Sequence, residues 1–318
     1  APSRGLGDVY KRQINSYPNI PTISQFLENN GQDIRTLYHS NNCWTSLKRA
    51  AGRIAYKDDV ITKRLEKGMA NLLHHNTASF LHFIELFIDG SKQYLDTKNY
   101  KYALMLYYAL FQDRLDKTGF ASIYEALELI HKGMYSYFRQ EISEIISYLL
   151  AHLQLKTMPL GEDVLPGLEL YGCYTREEIF TLVGRQTEAR KMQGSVTGVF
   201  NLSEHNATLL FVTLNKSDKD FSPSTQYNDY LINEHYFHWQ SQNTDSHQNN
   251  GGQRYTKQAD TQNKIILFVR EEKKDGYGNT CPFHCFGLVE YMSSHDDFPM
   301  NITWKLQQPA MAQYVKAI

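Results

Sequence analysis

The chain has 318 residues, of which 42% are hydrophobic and 21% charged, and its formal net charge is −1. This composition is typical of a folded globular protein, and it excludes a disordered segment or a histone-like polycation while leaving room for a local basic patch. Four cysteines are too few for a disulfide framework, and no apolar run approaches the roughly 18 residues of a membrane helix. We therefore expect a cytoplasmic protein without a membrane partner.

The length predicts two domains, because single cores seldom grow beyond about 250 residues. Residues 1–13, APSRGLGDVYKRQ, show no periodicity, and GLGDVYKRQ resembles a translated sequencing-adapter remnant. We expect a non-native leader over 1–13 and exclude it from the fold prediction. On this interpretation the natural N-terminal neighbour of the fragment is missing.

Residues 14–158 carry a helical pattern. Thr22 and Gln25 have the spacing of a capping box, and residues 78–88 form a strongly apolar segment that ends near a glycine. Residues 100–111 are apolar almost all round, which is typical of the buried centre of a bundle. The pattern predicts an all-α helical bundle that serves as a scaffold.

Residues 159–318 begin with a Pro- and Gly-rich linker and a helix capped by Thr175 and Glu178, and after Gly194 the period switches to two. Six segments rich in Val, Ile, Phe, Tyr and Thr are predicted as strands: 196–201, 208–214, 236–241, 264–271, 283–291 and 300–306. Because no long helical pattern separates them, we expect a mainly antiparallel, partly closed β-barrel. The predicted fold class is α+β with two domains.

The most informative stretch is 233–255, NEHYFHWQSQNTDSHQNNGGQRY. In a strand, alternate side chains point to opposite faces. Phe237, Trp239 and Ser241 then share an apolar face, whereas His238, Gln240 and Gln242 form a row of hydrogen-bonding groups on the other. That row could read the edge of a planar ligand, or it could be the polar outer face of an ordinary strand.

The preceding loop offers groups suited to phosphates and to a base. Asp229, flanked by Tyr227 and Tyr230, could accept a proton from a cytosine amino group, or it could cap a turn while the tyrosines fill the core. The candidate phosphate contacts are Asn215, Lys216, Lys219, Ser222, Arg254, Arg270 and Lys273. Their clustering favours a ligand-recognition surface.

Enzyme motifs are absent from the sequence: it has no phosphate-binding P-loop, no H-E-x-x-H and no G-x-S-x-G. The segment Cys281-Pro282-Phe283-His284-Cys285 offers only half of a zinc site, and His74, His75 and His82 lack an acidic partner at ligand spacing, so no metal site is predicted. The one conceivable acid–base pair is His238 with Asp229.

The series NKSDKDFSPSTQYNDYLINEHYFHWQSQ, GGQRY, ILFVREEKKDGYGN, GLVEY and ITWKL resembles the uncharacterised C-terminal region of large bacterial proteins. Those proteins join a phospholipase-D-like nuclease, a DEAD/DEAH helicase and this region, and some are type IV restriction endonucleases that cut DNA with 5-methylcytosine or 5-hydroxymethylcytosine. The resemblance covers nearly all of 14–318. The sequence departs from the pattern at Cys281 and Cys285, where Ser or Thr and an aromatic or aliphatic residue are expected.

The resemblance implies that 14–158 couples the motor and that 159–318 recognises double-stranded DNA with a modified cytosine, in a domain similar to barrels that flip the base. It does not say which residues read the base. The base-pocket candidates are Tyr227, Asp229, Tyr230, Phe237, His238, Trp239, Gln240 and Gln242. The implied partners are the missing nuclease and helicase domains, and ATP and Mg²⁺ are expected only for the helicase. A different class of function, a protein-interaction module that docks the motor to a partner, stays open.

Overall fold

A computed structural model describes residues 2–161, 163–192, 197–216 and 228–318. The chain divides into two compact units. The helical unit comprises Ala1–Gln154 and Gly184–Met192, and the β-rich unit comprises Leu155–Val183 and Gln193–Ile318. No described helix is both long and apolar enough to cross a membrane.

The helical unit contains nine α-helices among its described residues, joined by short 3-10 turns. They are α1 (Pro2–Asn15), α2 (Ile23–Asn30), α3 (Trp44–Ala50), α4 (Val60–Gly68), α5 (Ala78–Ile88), α6 (Tyr100–Phe111), α7 (Leu115–Thr118), α8 (Ile123–Glu128) and α9 (Ser136–Ala151). The predicted capping box is confirmed, since the Thr22 side chain accepts from the Gln25 N–H and Gln25 returns the bond. The excluded first residues form α1, in which Tyr10 packs edge-on against Phe26.

The centre of the helical unit is α6, as its apolar pattern predicts. Every residue from Ala103 to Phe111 is buried. Gly68 at the end of α4 meets α6 so closely that a Cβ there would lie 2.8 Å from the Ala109 carbonyl oxygen. Only glycine allows that approach without a backbone shift.

A buried carboxylate joins α9 to the start of α3. Glu141 accepts hydrogen bonds from the Tyr38 hydroxyl at 2.7 Å and from the N–H groups of Trp44 and Thr45 at 3.0 and 2.7 Å. The first N–H groups of a helix have no partner within the helix, so this carboxylate satisfies two of them.

In the β-rich unit the six predicted strands are confirmed, with ends that shift by up to four residues. The elements are β1 (Met158–Pro159), β2 (Glu169–Leu170), β3 (Cys173–Tyr174), α10 (Arg176–Leu182), β4 (Val199–Leu202), β5 (Ala207–Asn215), β6 (Tyr230–Leu231), β7 (Tyr236–Gln240), α11 (Asn250–Thr256), α12 (Gln258–Thr261), β8 (Lys264–Glu272), β9 (Phe283–His295), β10 (Asn301–Leu306) and α13 (Ala312–Val315). Apart from the small β1–β2 pair, the strands form one sheet in the order β4-β5-β8-β9-β10-β7-β6, with β3 beside β9.

The predicted barrel is wrong: the described strands form an open, mixed sheet whose edge strands β4 and β6 do not pair with each other. β5 and β8, near one edge of the sheet, run parallel, whereas its other described strand pairs are antiparallel, as expected. Parallel neighbours need a crossover connection. Part of the connection from β5 to β8 is helical, since it contains α11 and α12. The sequence pattern had predicted a loop there.

One face of the sheet carries the hydrophobic core, which includes Trp239, Tyr255 and Trp304. The opposite face is covered over β5, where Phe180 of α10 lies 6.0 Å from the Phe211 ring. Over β6, β7 and β10 this opposite face is partly solvent-exposed. We call its residues the open face: Tyr230, His238, Gln240, Asn301 and Thr303.

Candidate nucleic-acid interface

The open face is built by strand alternation. In β7 the buried residues Phe237 and Trp239 alternate with the half-buried His238 and Gln240, which confirms the predicted two-faced strand. Tyr230 of the edge strand β6 pairs with His238, and the two rings stack at 4.5 Å with an interplanar angle of 14°. The Tyr230 side chain is 45% exposed, so a flat aromatic surface faces solvent.

Gln240 of β7 contacts both β10 and the segment that precedes β6. Its Oε1 accepts from the Asn228 N–H at 2.6 Å, and its Nε2 donates to Oδ1 of Asn301 at 3.0 Å. His238 Nδ1 lies 2.9 Å from the Asn228 carbonyl oxygen. Because a carbonyl oxygen can only accept, the Nδ1 atom of His238 carries a proton at this contact. The result is a fixed array of amide and imidazole groups next to the stacked rings.

Asp229 lies beneath this surface. Its Oδ2 is 2.9 Å from the Lys216 ammonium group, and only 4% and 8% of the two side chains are exposed. Its Oδ1 accepts from the Gln240 N–H at 2.8 Å. Burial raises the pKa of the Asp229 carboxyl, while Lys216 and the Gln240 N–H oppose that shift. Asp229 therefore anchors its segment to β7, and Lys216 binds the same carboxylate from the end of β5.

The aromatic candidates Phe237 and Trp239 lie on the core face. Trp239 contacts Tyr255 edge-on at 5.1 Å, and Phe237 has no exposed surface. Gln242 is half-buried just beyond β7. Of the predicted base-reading residues, the structure brings together Tyr230, His238 and Gln240 on one surface; Tyr227 lies outside the described residues.

The phosphate candidates that the structure describes do not form one surface. Arg270 is 6% exposed, donates to the Thr213 hydroxyl at 2.9 Å, and lies 4.2 Å from the centre of the Phe283 ring. Asn215 is exposed at the end of β5, and Lys273 is half-buried after β8. Lys219 and Ser222 lie outside the described residues. Arg254 is half-buried in α11, where its charge opposes the upward shift that burial gives the pKa of Asp245.

A polar relay that the sequence pattern did not reveal connects the loop before α11 to β9. His247 Nδ1 is 2.8 Å from Oδ1 of Asp297, and Nε2 is 2.7 Å from the Ser294 hydroxyl. The Tyr291 hydroxyl is 2.6 Å from that same Ser294 oxygen. His247 belongs to the polar insert 243–250, and no spacing rule connects it to residues some 50 positions later.

The cysteines are free thiols. Cys173 and Cys285 are buried in β3 and β9, and burial raises the pKa of the Cys285 thiol to about 12. A neutral, buried thiol packs as a small apolar side chain and is a poor metal ligand.

Residues 168–317 match the sequence family described as "Domain of unknown function (DUF3427)". The matched segment lies mostly in the β-rich unit and includes every strand of the large sheet. No curated protein matches the chain. The resemblance to an uncharacterised domain is thus supported for this segment.

Proposed function

We propose that the β-rich unit is the DNA-recognition part of a helicase–nuclease restriction enzyme and that it reads a modified cytosine extruded from the duplex. The observation that carries this proposal is the Tyr230–His238 stack, which presents an exposed aromatic ring beside the amides of Gln240 and Asn301. The resemblance to the C-terminal region of such enzymes supplies the substrate class.

In this proposal, the aromatic side chains stack on the base and the neighbouring polar groups recognise its edge. A base that stacks on an aromatic side chain gains about 1–3 kcal/mol, which offsets much of the few kcal/mol that extrusion costs. Two groups at the stack would read the base edge: the Gln240 amide, two residues along β7, and the Nε2 atom of the stacked His238 ring. Asp229 acts indirectly, because its bond to the Gln240 N–H fixes the strand that carries these groups.

Phosphate contacts come from exposed cations around this surface rather than from the buried ones. Lys305 of β10 is exposed and pairs with Tyr236 of β7, so it lies on the same side of the sheet as His238. Each phosphate contact steepens the loss of affinity with salt. We propose that the helical unit couples this recognition to the motor.

A second candidate is a protein-interaction module. Tyr230 and Ile232, at 45% and 41% exposed, flank the edge of the sheet at β6. An exposed edge with apolar side chains can accept an added strand from a partner. On this alternative the open face docks the motor and touches no base.

The two candidates are separated by measuring the binding of this chain to three otherwise identical duplexes. They carry cytosine, 5-methylcytosine or 5-hydroxymethylcytosine at one site, and binding is measured at two salt concentrations. A preference of about tenfold for a modified base, kept at the higher salt, supports base reading, since one good contact pair is worth about 1–3 kcal/mol. Equally weak binding to all three duplexes, lost at the higher salt concentration, would favour the protein-interaction module.

A further inference from the structure

The connection between β9 and β10 exposes a single large aromatic side chain. Phe298 is 62% exposed, and its backbone has a φ of +55°. A bulky residue seldom adopts this left-handed conformation, and it persists only where the surrounding structure holds it in place. An aromatic ring in water at a constrained position points to a contact with another molecule.

Hydrogen bonds hold the tip of the β9–β10 connection at Phe298 and at the residue before it. The Phe298 N–H donates to the Asp245 carbonyl oxygen at 3.0 Å. The preceding residue, Asp297, accepts from the His247 N–H at 2.7 Å and from its ring nitrogen at 2.8 Å. His247 is itself held by Ser294, so the relay fixes the backbone from which Phe298 projects.

Phe298 lies near the open face. Three residues later, Asn301 pairs with Gln240, and its side chain is bonded to the Gln240 amide. In the sheet, Tyr230 lies two strands across from Asn301 and two residues along the strand direction. With ordinary strand and residue spacings, this offset places their Cα atoms ~12 Å apart. Phe298 is three residues from Asn301, which adds at most about 11 Å of extended chain, so its Cα lies within about 23 Å of that of Tyr230. The exposed ring and the stacking pair can therefore contact one site on a duplex.

The two carboxylates at the tip both face imidazole nitrogens. Asp296 is 2.9 Å from His295 Nδ1, and Asp297 is 2.8 Å from His247 Nδ1. These carboxylates also accept from the His247 N–H and from the Asn301 amide, so their oxygens are engaged within the protein.

We propose that Phe298 is the wedge that enters the base stack and fills the space left by the extruded base. Apolar side chains such as Phe and Leu serve this purpose in proteins that unstack DNA. The wedge keeps the duplex open while the base stacks on Tyr230. This inference rests on the proposed function and assigns to it the residue that opens the duplex.

The test uses duplexes with 2-aminopurine beside 5-methylcytosine, because unstacking raises the fluorescence of 2-aminopurine. We expect the wild-type chain to raise the signal, Phe298→Leu to retain most of the rise, and Phe298→Ala to lose it and bind about tenfold more weakly, since unstacking costs a few kcal/mol per step. Met292→Ala is the control, because Met292 is an apolar residue of β9 that is 47% exposed.

A duplex with a mismatch at the modified base sharpens the result. Its base is already unstacked in part, so Phe298→Ala should bind it nearly as well as the wild type. If Phe298→Ala prefers modified DNA and raises the fluorescence like the wild type, the wedge is overturned while the proposed function stands. If the wild-type chain shows no preference and no fluorescence change, both fail together.

Discussion

The two halves of the outer sheet face use similar residue types in opposite ways. Over β5 and β8 the cations are part of the packing: Arg176 and Arg270 lie on the Phe211 and Phe283 rings at 4.4 and 4.2 Å. Over β6, β7 and β10, aromatic and polar groups face solvent, and Tyr230 stacks on the neighbouring His238. Charge in a sequence is therefore a poor guide to the binding surface, since here the buried cations stabilise the fold.

The largest expected effect comes from the ion pair at the edge of the open half. Asp229→Ala should lower the free energy of unfolding by about 3–5 kcal/mol, because Lys216 would be left buried without its carboxylate. Urea denaturation measures the loss. Asp260→Ala on the exposed side of α12 is the control, and Lys216→Met added to Asp229→Ala should restore part of the stability. A loss no larger than that of the control would show that the pair does not anchor β7.

Substitutions in the covered half, over β5 and β8, should lower the stability of the protein and leave its affinity for DNA unchanged. Arg270→Ala removes a charged hydrogen bond to Thr213 and a cation–π contact, and we expect a loss of about 2–3 kcal/mol. Lys273→Ala, at a partly exposed position, should change stability by less than about 0.5 kcal/mol. Thermal unfolding and DNA titration of both variants are the measurement. If folded Arg270→Ala loses DNA affinity, the arginine contacts DNA and the division into two halves is wrong.

Substitutions in the open half, over β6, β7 and β10, should lower the affinity for DNA and change the stability little. Tyr230→Ala should change stability by less than about 1 kcal/mol and lower the affinity for modified DNA about tenfold or more, because one stacked base is worth about 1–3 kcal/mol. Ile232→Ala, the exposed neighbour at the same edge, should leave DNA affinity unchanged. The reverse pattern, with both variants weakening the binding of a protein partner and neither affecting DNA, would favour the interaction module.

The smallest effect is expected at Lys305. Lys305→Ala should weaken DNA binding a few-fold and reduce the slope of log affinity against log salt by about 0.9, the value of one phosphate contact. Glu290, which pairs with Lys305 across β9 and β10, provides the opposite change. Glu290→Ala should strengthen binding slightly, and an unchanged salt slope in Lys305→Ala would remove this lysine from the interface.

Local patterns predicted local structure well. The capping boxes at Thr22 and Thr175, the bounds of α5 and the alternation in β7 depend on neighbouring residues, and all four are confirmed. The barrel failed because closure depends on how strands pair over long distances. The continuous apolar runs of β5 and β8 are typical of strands buried on both faces, as in parallel sheets, but they do not identify the partner strand.

The candidate site was predictable only in part. Period-two alternation identified His238 and Gln240 correctly as outward-facing, and proximity in sequence suggested Tyr230. It could not show that Lys216 and Asp229 neutralise each other, since partner choice depends on the distance between side chains in the folded chain. The His247 relay and the exposure of Phe298 were missed because both arise where the polar insert meets the end of a distant hairpin.

The parallel pairing of β5 and β8 also has a consequence for synthesis on the ribosome. The chain from 216 to 263 must emerge after β5 before β8 is made, and it contains β6 and β7 of the same sheet. During that interval β5, a run of apolar residues, can pair only with β4 on one side. An unpaired apolar strand edge is prone to aggregation, and long-range parallel pairing forms slowly. We therefore expect the risk of aggregation through β5 to be greatest in the interval before β8 emerges.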